Sequence, residues 1–259
     1  MHLIFFDDHA VDNLLPLTFT RPAGDLRVGI LTIAEKWEFE LELAGADISQ
    51  SSFLTREYLR TKYKPVFGED NLLINASLLP SLGLNSAIAG LNYGKAIKKE
   101  ERLLALRCGK NEAEEFSEKL ALSKADSYGD SIHIVDYPWK IFSLNGQEIL
   151  SDFELLSLGG NSARLEKVEV FGRHPVFVEE GFRGTHFTLN TTNGPVYLGK
   201  DSEIMEGCLI RGPFALGEHA TIKMAAKIYG PTTIGPHCKA GGEINNSVMQ
   251  GYSNKGHDG

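Results

Sequence analysis

The carboxyl-terminal third of the chain repeats its hydrophobic positions every six residues. Aliphatic side chains, with an alanine as the last member, recur at this interval: Leu198, Ile204, Ile210, Leu216, Ile222, Ile228, Ile234 and Ala240. Mostly small residues follow the first seven of these by four positions: Ser202, Cys208, Phe214, Ala220, Ala226, Thr232 and Cys238. A period of six fits neither an α-helix nor a hairpin sheet. It predicts short parallel strands stacked into a β-solenoid, with one inward aliphatic side chain per face.

The amino-terminal half alternates short apolar runs with amphipathic stretches. The run Leu3–Phe6 ends in Asp7 and Asp8, which is typical of a buried parallel strand that leads into a loop. Further elements are predicted by the same reasoning: strands at residues 71–75 and 102–107, helices at 30–43 and from Asn111 to about Leu122, and a helix-containing connection at 137–152. Together they indicate an open, Rossmann-like α/β domain over residues 1–152. Strands at 168–172 and 176–178 then begin a β-helix domain, which we place at residues 153–259.

Composition narrows the classes of function. The 259 residues carry a formal net charge of −8, which argues against a general nucleic-acid or membrane-surface binder. The apolar run near the amino terminus is too short for a signal peptide or a membrane span. The cysteines Cys108, Cys208 and Cys238 form no paired framework, and we expect them to be packing residues in a reducing, cytoplasmic compartment.

The stretch Leu15–Pro22, with the sequence LPLTFTRP, resembles the start of the sugar-1-phosphate nucleotidyltransferases. These enzymes open with a strand, a glycine-rich loop and the motif P-L-T-x-x-R-P-K. They transfer a nucleotidyl group from a nucleoside triphosphate to a sugar phosphate, with Mg²⁺ and release of pyrophosphate. This chain departs from the pattern in that residues 8–13 contain no glycine and Ala23 replaces the lysine. No carboxylate is present near Asn75, where the family's strand-end magnesium ligand would fall.

The resemblance implies a phosphate-binding site in the amino-terminal domain. Three cations are predicted to contact phosphate: Arg21, which we also predict to be catalytic, Arg27 and, as a weaker candidate, Lys36. Asp7 and Asp8 end the first strand, where open α/β sheets place their ligands, so either could replace the missing magnesium ligand. In the alternative interpretation, Arg21 and Arg27 pair with Asp25 or cap loops.

The hexad repeat resembles the hexapeptide-repeat acyltransferases, in which three hexads form one coil of a left-handed β-helix. That resemblance implies a homotrimer with acetyl-CoA bound between neighbouring solenoids, in a cleft that several residues could line: Arg211, Lys223, Lys227 and Tyr229. The alternative is a β-helix that serves only as a trimeric scaffold. No polar cap protects the last coil before Gly259, so we expect the sequence to be a fragment of a longer protein, with an acetyltransferase part that is incomplete and inactive by itself.

The two halves in this order resemble the bifunctional enzymes that make UDP-N-acetylglucosamine. The segments LTFTRPAGDLRVGILTIAEKWE, YPWKIF, IYGPTTIGPHCKAGGEINNS and SNKGHDG resemble the divergent, Bacteroidetes-type branch of that family. Its acetyltransfer base, the histidine of K-x-G-H, matches His257, and Lys255 is a candidate substrate-binding residue. The resemblance implies uridylylation of N-acetylglucosamine-1-phosphate joined to acetyl-CoA-dependent acetylation of glucosamine-1-phosphate. In the alternative, an acyltransferase carries an amino-terminal domain that only binds a sugar nucleotide.

Overall fold

The computed structural model describes residues 1–258 and divides them into two compact units. The first comprises Met1–Leu26 and Thr32–Lys140, and the second comprises Arg27–Leu31 and the chain from Ile141 onward. Gly259, the last residue of the predicted β-helix, lies outside the described residues. No helix in the described part of the chain combines the length and the hydrophobicity that crossing a membrane requires.

The first unit is built on a mixed β-sheet. Its strands are β1 (His2–Phe6), β2 (Gln50–Leu54), β3 (Asn71–Asn75), β4 (Leu78–Leu79), β5 (Ala96–Lys99), β6 (Arg102–Cys108), β7 (Asp126–Ser127) and β8 (His133–Ile134). The main sheet has the order β2-β1-β3-β6-β5-β7, and β4 pairs separately with β8. β1 runs parallel to β2 and β3, whereas β6 runs antiparallel to β3 and β5. The predicted strands are confirmed, and Leu3, Ile4 and Phe5 are completely buried, as expected for a strand covered on both faces.

The helices follow the predicted order, except that two short helices replace one that was predicted as continuous. They are α1 (Ala10–Asn13), α2 (Ile33–Leu43), α3 (Leu82–Ala89), α4 (Lys110–Glu114), α5 (Glu118–Ser123) and α6 (Pro138–Ser157), with 3₁₀ turns at Leu17–Phe19, Ala23–Asp25 and Glu57–Leu59. The single helix predicted from Asn111 to about Leu122 is wrong, because the chain forms α4 and α5 there. Glu115 leaves helical geometry with φ −96° and ψ 25°. Ser117 then caps α5 by accepting the N–H of Leu120 at 3.4 Å.

Helix α2 begins at Ile33, later than the predicted start at residue 30. Thr32 is its N-cap: its hydroxyl accepts the N–H of Glu35 at 3.3 Å, and the Glu35 carboxylate accepts the N–H of Thr32 at 2.6 Å. This capping box fixes the start of the helix. The N–H of Ile30 donates instead to Asp152 Oδ2 at 2.7 Å, within the second unit. A side chain distant in sequence therefore shortens the helix.

The second unit contains a parallel β-helix built from three sheets. The first sheet holds β10 (Val176–Val178), β13 (Val196–Leu198), β16 (Phe214–Leu216), β19 (Thr232–Ile234) and β22 (Val248–Met249). The second holds β11 (Arg183–Gly184), β14 (Glu203–Ile204), β17 (Thr221–Ile222), β20 (Lys239–Ala240) and β23 (Asn254–Lys255). The third holds β9 (Glu169–Phe171), β12 (Thr188–Asn190), β15 (Leu209–Arg211), β18 (Lys227–Tyr229) and β21 (Glu243–Asn245).

The predicted hexad positions form the core of the β-helix. Residues one coil apart are register partners: in the first sheet Leu198 faces Leu216, which faces Ile234. Each predicted aliphatic position is at most 1% exposed, and the small residues four positions later are completely buried. Full burial of one leucine or isoleucine stabilises the fold by roughly 1.5–3 kcal/mol. The stacked-coil prediction is confirmed.

Residues 27–31 and helix α6 pack together within the second unit. The N–H of Gly29 donates to Asn145 Oδ1 at 2.8 Å, and its carbonyl accepts the Thr233 hydroxyl at 2.9 Å. Gly29 has φ +87°, and a Cβ there would lie 2.4 Å from Asp152 Oδ2. Only glycine satisfies both the backbone angle and the close approach.

The cysteines behave as packing residues, as predicted. All of them are free and buried. Burial raises the pKa of Cys108 to about 12 and also raises the pKa values of the Cys208 and Cys238 thiols. Because the thiolate is the reactive form, we expect no native cysteine to react with a disulfide reagent at pH 8. A spectrophotometric thiol count should give about zero in buffer and the full three in guanidinium chloride.

Candidate functional site

The carboxyl ends of β1 and β3 meet where the strand order of the first unit reverses. β2 lies on one side of β1 and β3 on the other, and ligands of open α/β sheets bind outside the carboxyl ends at such a point. Because β6 is antiparallel to β3, its first residue, Arg102, stands at the same edge as Asn75. The Asn75 amide donates to the Leu103 carbonyl at 3.1 Å. We name this place the switch-point crevice and define it by Asp7, Asp8, Asn75, Ser77, Arg102 and Asp136.

Asp8 is the buried acid of the switch-point crevice. Its side chain is 0% exposed. Its Oδ1 accepts the N–H of Ala10 at 2.8 Å, and its Oδ2 accepts the Asn75 amide at 2.9 Å. Arg102 Nε lies 3.4 Å from the same Oδ2. A buried carboxylate requires such compensation, so Asp8 is paired with a cation and each of its oxygens faces a donor.

Asp7 connects three segments at the end of β1. Its Oδ1 accepts the N–H of Ala23 at 2.9 Å, and its Oδ2 accepts the hydroxyl of Thr55, which follows β2. Burial raises the pKa of Asp7, against the lowering effect of these hydrogen bonds. Asp7 therefore fixes the loop that carries Arg21 beside the crevice.

Arg21 is held by the alternative partner that the sequence offered, Asp25. Its Nη1 lies 3.9 Å from Asp25 Oδ2, and Tyr63 donates its hydroxyl to the same Oδ2 at 2.9 Å. The Arg21 side chain remains 28% exposed. An arginine has five N–H donors, so this pair orients the guanidinium without exhausting it.

Two polar atoms of the crevice lack a hydrogen-bond partner among the described residues. They are the Ser77 hydroxyl and Asp136 Oδ1, both buried. The backbone of Ser77 is fixed, since its N–H donates to Asn75 Oδ1 at 3.0 Å and its carbonyl accepts the N–H of Val135 at 2.8 Å. Buried polar atoms are normally paired, so these two mark unused hydrogen-bonding capacity in the crevice. Both are shielded from solvent, so a ligand reaches them only when neighbouring side chains move.

Two cavities adjoin the crevice, and residues beside or within α1 line both. The aromatic cavity has about 360 Å³ and is lined by Phe6, Asp7, Val11, Leu54, Thr55, Arg56, Arg60, Pro65, Phe67, Glu114 and Phe116. The polar cavity has about 560 Å³ and is lined by His9, Lys99, Glu100, Glu101, Arg102, Ser131, Ile132, Ile134 and Asp136. The first joins aromatic walls to two arginines, and the second joins cations to carboxylates. This separation suits two ligands of different chemistry.

A magnesium ion held by the protein does not fit this set of donors. Within residues 1–258, no three His, Cys, Asp or Glu side chains come together as a metal site. The raised pKa of Asp7 disfavours its charged form, and Asp8 already faces the Arg102 cation. Protein donors engage both carboxyl groups, which argues against the metal role predicted for Asp7 and Asp8; that role stays a prediction.

The other predicted phosphate contacts lie in different surroundings. Arg27 belongs to the second unit, where its guanidinium donates to the Ile30 carbonyl and its backbone N–H donates to Gln250 Oε1 at 2.9 Å. Lys36 lies in α2 and is 1% exposed. Its ammonium group is therefore closed to a phosphate arriving from solvent, and the structure does not support that role.

His257 and Lys255 lie on the last coil of the β-helix. The His257 side chain is exposed. Lys255 Nζ donates to the carbonyls of Gly241 and His257, each at 2.9 Å, and Lys223 Nζ donates to the Gly256 carbonyl at 3.1 Å. Two lysines thus hold the backbone that carries His257, and the imidazole stays open to solvent.

The third sheet of the β-helix carries a cavity of about 400 Å³. Its lining residues are Phe171, Thr188, Asn190, Leu209, Ile210, Arg211, Lys227, Ile228 and Tyr229. Three of the four residues proposed from sequence for a coenzyme cleft are therefore brought together. Lys223 is the exception, because it binds the Gly256 carbonyl instead.

Sequence reasoning missed Arg102, Asp136 and Ser77. Arg102 had been recognised only as the first residue of a predicted strand. Hydrophobic pattern predicts a strand but not its direction, and the antiparallel pairing of β6 alone places Arg102 at the ligand edge. The sequence signal for a replacement at this strand end is the missing carboxylate near Asn75.

Comparison with known proteins supports the interpretation of the first unit. A comparison with curated proteins finds no match. The family model of the sugar nucleotidyl transferases matches residues 3–161, more than half of the chain, and this range includes the whole switch-point crevice. The chain therefore belongs to the sugar nucleotidyl transferase family.

Proposed function

We propose that the first unit transfers a uridylyl group from UTP to N-acetylglucosamine-1-phosphate. A phosphate oxygen of the sugar phosphate attacks the α-phosphorus of UTP, the bond from that phosphorus to the bridging oxygen breaks, and pyrophosphate leaves. Mg²⁺ enters as part of the substrate, bound to the triphosphate. The observation that carries this proposal is the switch-point crevice of a family member, in which Arg102 lines one cavity and Asp7, the carboxyl group that fixes the Arg21 loop at Ala23, lines the other.

The two cavities match the two substrates in chemistry. Aromatic walls with arginines at their border, as in the cavity of Phe67 and Arg56, suit a nucleobase and its phosphates. The polar cavity offers Arg102 and Lys99 for a phosphate, and Asp136 and Glu101 as acceptors for sugar hydroxyls. We assign the nucleotide to the aromatic cavity and the sugar phosphate to the polar one.

For the second unit we propose acetyl transfer from acetyl-CoA to glucosamine-1-phosphate in a homotrimer. The amine attacks the thioester carbonyl, His257 takes the proton that the amine loses and returns it to the departing sulfur, the C–S bond breaks, and coenzyme A leaves as the thiol. The His257 imidazole is exposed, and a neutral imidazole can accept a proton in that step. The cavity lined by Phe171, Arg211 and Tyr229 is our candidate for contact with the coenzyme.

The test of the nucleotidyl transfer is pyrophosphate release. The protein should release pyrophosphate when UTP, Mg²⁺ and N-acetylglucosamine-1-phosphate are all present, and not when any one is omitted. A coupled phosphate assay measures the rate, and calorimetry measures UTP binding separately. No release together with no UTP binding would exclude the proposed reaction.

One observation favours a second candidate, a first unit that binds a sugar nucleotide without turning it over. No glycine occurs between Asp7 and Ala23 to let the backbone approach a triphosphate closely. Tight binding of UDP-N-acetylglucosamine with no pyrophosphate release would favour this candidate.

A further inference from the structure

The ion pair of Asp8 and Arg102 places a fixed positive charge of the protein in the switch-point crevice. The Asp8 side chain is completely buried and is itself oriented by the N–H of Ala10 and the amide of Asn75. A carboxylate held in this way aligns the guanidinium that it binds. Preorganised cations of this kind stabilise charge on a reacting phosphate without reorganisation.

We propose that Arg102 binds the phosphate group of the sugar phosphate and that Asp8 positions Arg102. This inference rests on the proposed function, which it deepens by naming the group that holds the acceptor substrate. Arg102 thereby supplies the protein's positive charge at the strand end where a metal ligand was expected. Asp8 is then a positioning residue and not a ligand of a divalent ion.

The geometry leaves Arg102 free to act on a ligand. Its side chain is 20% exposed and lines the polar cavity. Nε faces Asp8 at 3.4 Å, and Nη1 lies 3.8 Å from Asp136 Oδ2, beyond hydrogen-bond distance. The Arg102 guanidinium donates no hydrogen bond to another of the described residues, so its Nη groups can donate to a phosphate oxygen.

The neighbouring groups favour a sugar phosphate over a bare phosphate. Ser131, Glu101 and Asp136 line the same cavity, and Asp136 Oδ1 is a buried acceptor with no partner among residues 1–258. Carboxylates repel a polyphosphate, whereas they accept hydrogen bonds from sugar hydroxyls. The aromatic cavity sets two arginines against two carboxyl groups, whereas the polar cavity sets a lysine and an arginine against three. The triphosphate is therefore assigned to the aromatic cavity.

The first experiment asks whether the free protein binds a divalent ion at Asp8. Mn²⁺ is titrated into the full chain without nucleotide and followed by electron paramagnetic resonance. The wild type should leave the free-ion signal unchanged, since Arg102 already compensates Asp8. Stoichiometric Mn²⁺ binding that Asp8→Asn abolishes would overturn the proposal. This measurement requires no turnover.

The second experiment measures ligand affinity in the double variant Asp8→Asn/Arg102→Met, which removes both charges of the pair so that Asp8 is not left as an unpaired buried charge. Calorimetry uses inorganic phosphate, N-acetylglucosamine-1-phosphate and UTP as separate probes. We expect the two smaller ligands to bind at least about 10-fold more weakly and UTP within about twofold of wild type. Arg102→Lys should recover part of the sugar phosphate affinity, because it keeps the charge but loses the planar fork.

The matched control is Asp70→Asn/Arg107→Met, which removes another ion pair of the same strand. Arg107 Nη2 lies 2.9 Å from Asp70 Oδ2, near the other end of β6. This control should bind every probe as the wild type does. Unchanged phosphate affinity in the Asp8/Arg102 variant, or an equal loss of UTP affinity, would overturn the proposal. Absence of pyrophosphate release with these binding changes intact would reject only the proposed reaction.

Discussion

Replacing Ile210 by alanine is expected to destabilise the β-helix by about 2–5 kcal/mol, whereas Leu209→Ala should change its stability by less than about 0.5 kcal/mol. The two residues are neighbours in β15. Ile210 points into the core and is 1% exposed, and Leu209 points outward and is 53% exposed. Truncating Ile210 leaves a cavity between Leu189 and Ile228, its register partners on the coils before and after.

Hydrogen exchange followed by mass spectrometry is the suitable measurement for this pair. Peptides from residues 196–249 report opening of the β-helix separately from the first unit. Both variants shorten an aliphatic side chain to alanine. The two sites therefore differ mainly in whether that side chain points into the core or outward. Equal destabilisation by the two variants would contradict the inward assignment of the hexad.

The β-helix could be predicted from sequence because its coils repeat one physical constraint. Every coil must turn an aliphatic side chain inward on each face, so the period appears in the sequence wherever the coils have equal length. Leu189 and Leu198, which occupy successive sheets, are nine residues apart because a longer loop connects their strands. For the coils before residue 196, the sequence therefore predicted individual strands but did not show the six-residue period.

Contacts between distant residues explain what the local pattern of the first unit did not predict. Amphipathic periodicity continued through residues 30–32, but Asp152 binds the N–H of Ile30 and the capping box at Thr32 starts α2 later. Likewise, the apolar spacing of residues 111–122 suggested one helix, and the cap at Ser117 divides it. Local propensity predicted that the chain forms helices in these two regions. Capping interactions determined where each helix begins and ends.

The candidate site was predictable only in part, for a related reason. Asp7 and Asp8 were found because they follow an evident buried strand, and Arg21 because it lies in a recognisable motif. Their partners Thr55 and Arg102 come from β2 and β6, whose places in the sheet depend on topology. From sequence alone, a carboxylate at the end of a strand indicates a metal ligand. In the folded sheet, the pairing of β6 with β3 places Arg102 beside that carboxylate.

Replacing Arg21 by methionine is expected to lower kcat/KM for pyrophosphate release by roughly 10²–10³-fold, a loss of about 2.7–4 kcal/mol of transition-state stabilisation. Asp25 orients its guanidinium, Tyr63 holds Asp25, and Asp7 fixes the same loop at Ala23. We expect a cation held by such supports to stabilise the charge that develops on the transferred phosphate. The Arg21–Asp25 pair itself is part-exposed, so its loss should change the melting temperature little.

Arg107→Met is the control for this prediction, because it also removes an arginine from a part-exposed ion pair of the first unit. Arg107 lies near the amino-terminal end of β3, opposite Leu72, and therefore away from the carboxyl edge. The kcat/KM of Arg107→Met should stay within about twofold of the wild-type value, a far smaller change than the loss expected for Arg21→Met. Steady-state kinetics with each substrate varied in turn will separate a loss in kcat from a rise in KM. If Arg21→Met and Arg107→Met reduced kcat/KM equally, the loop of Arg21 would have no special role, and the transferred phosphate would have to be stabilised from elsewhere in the switch-point crevice.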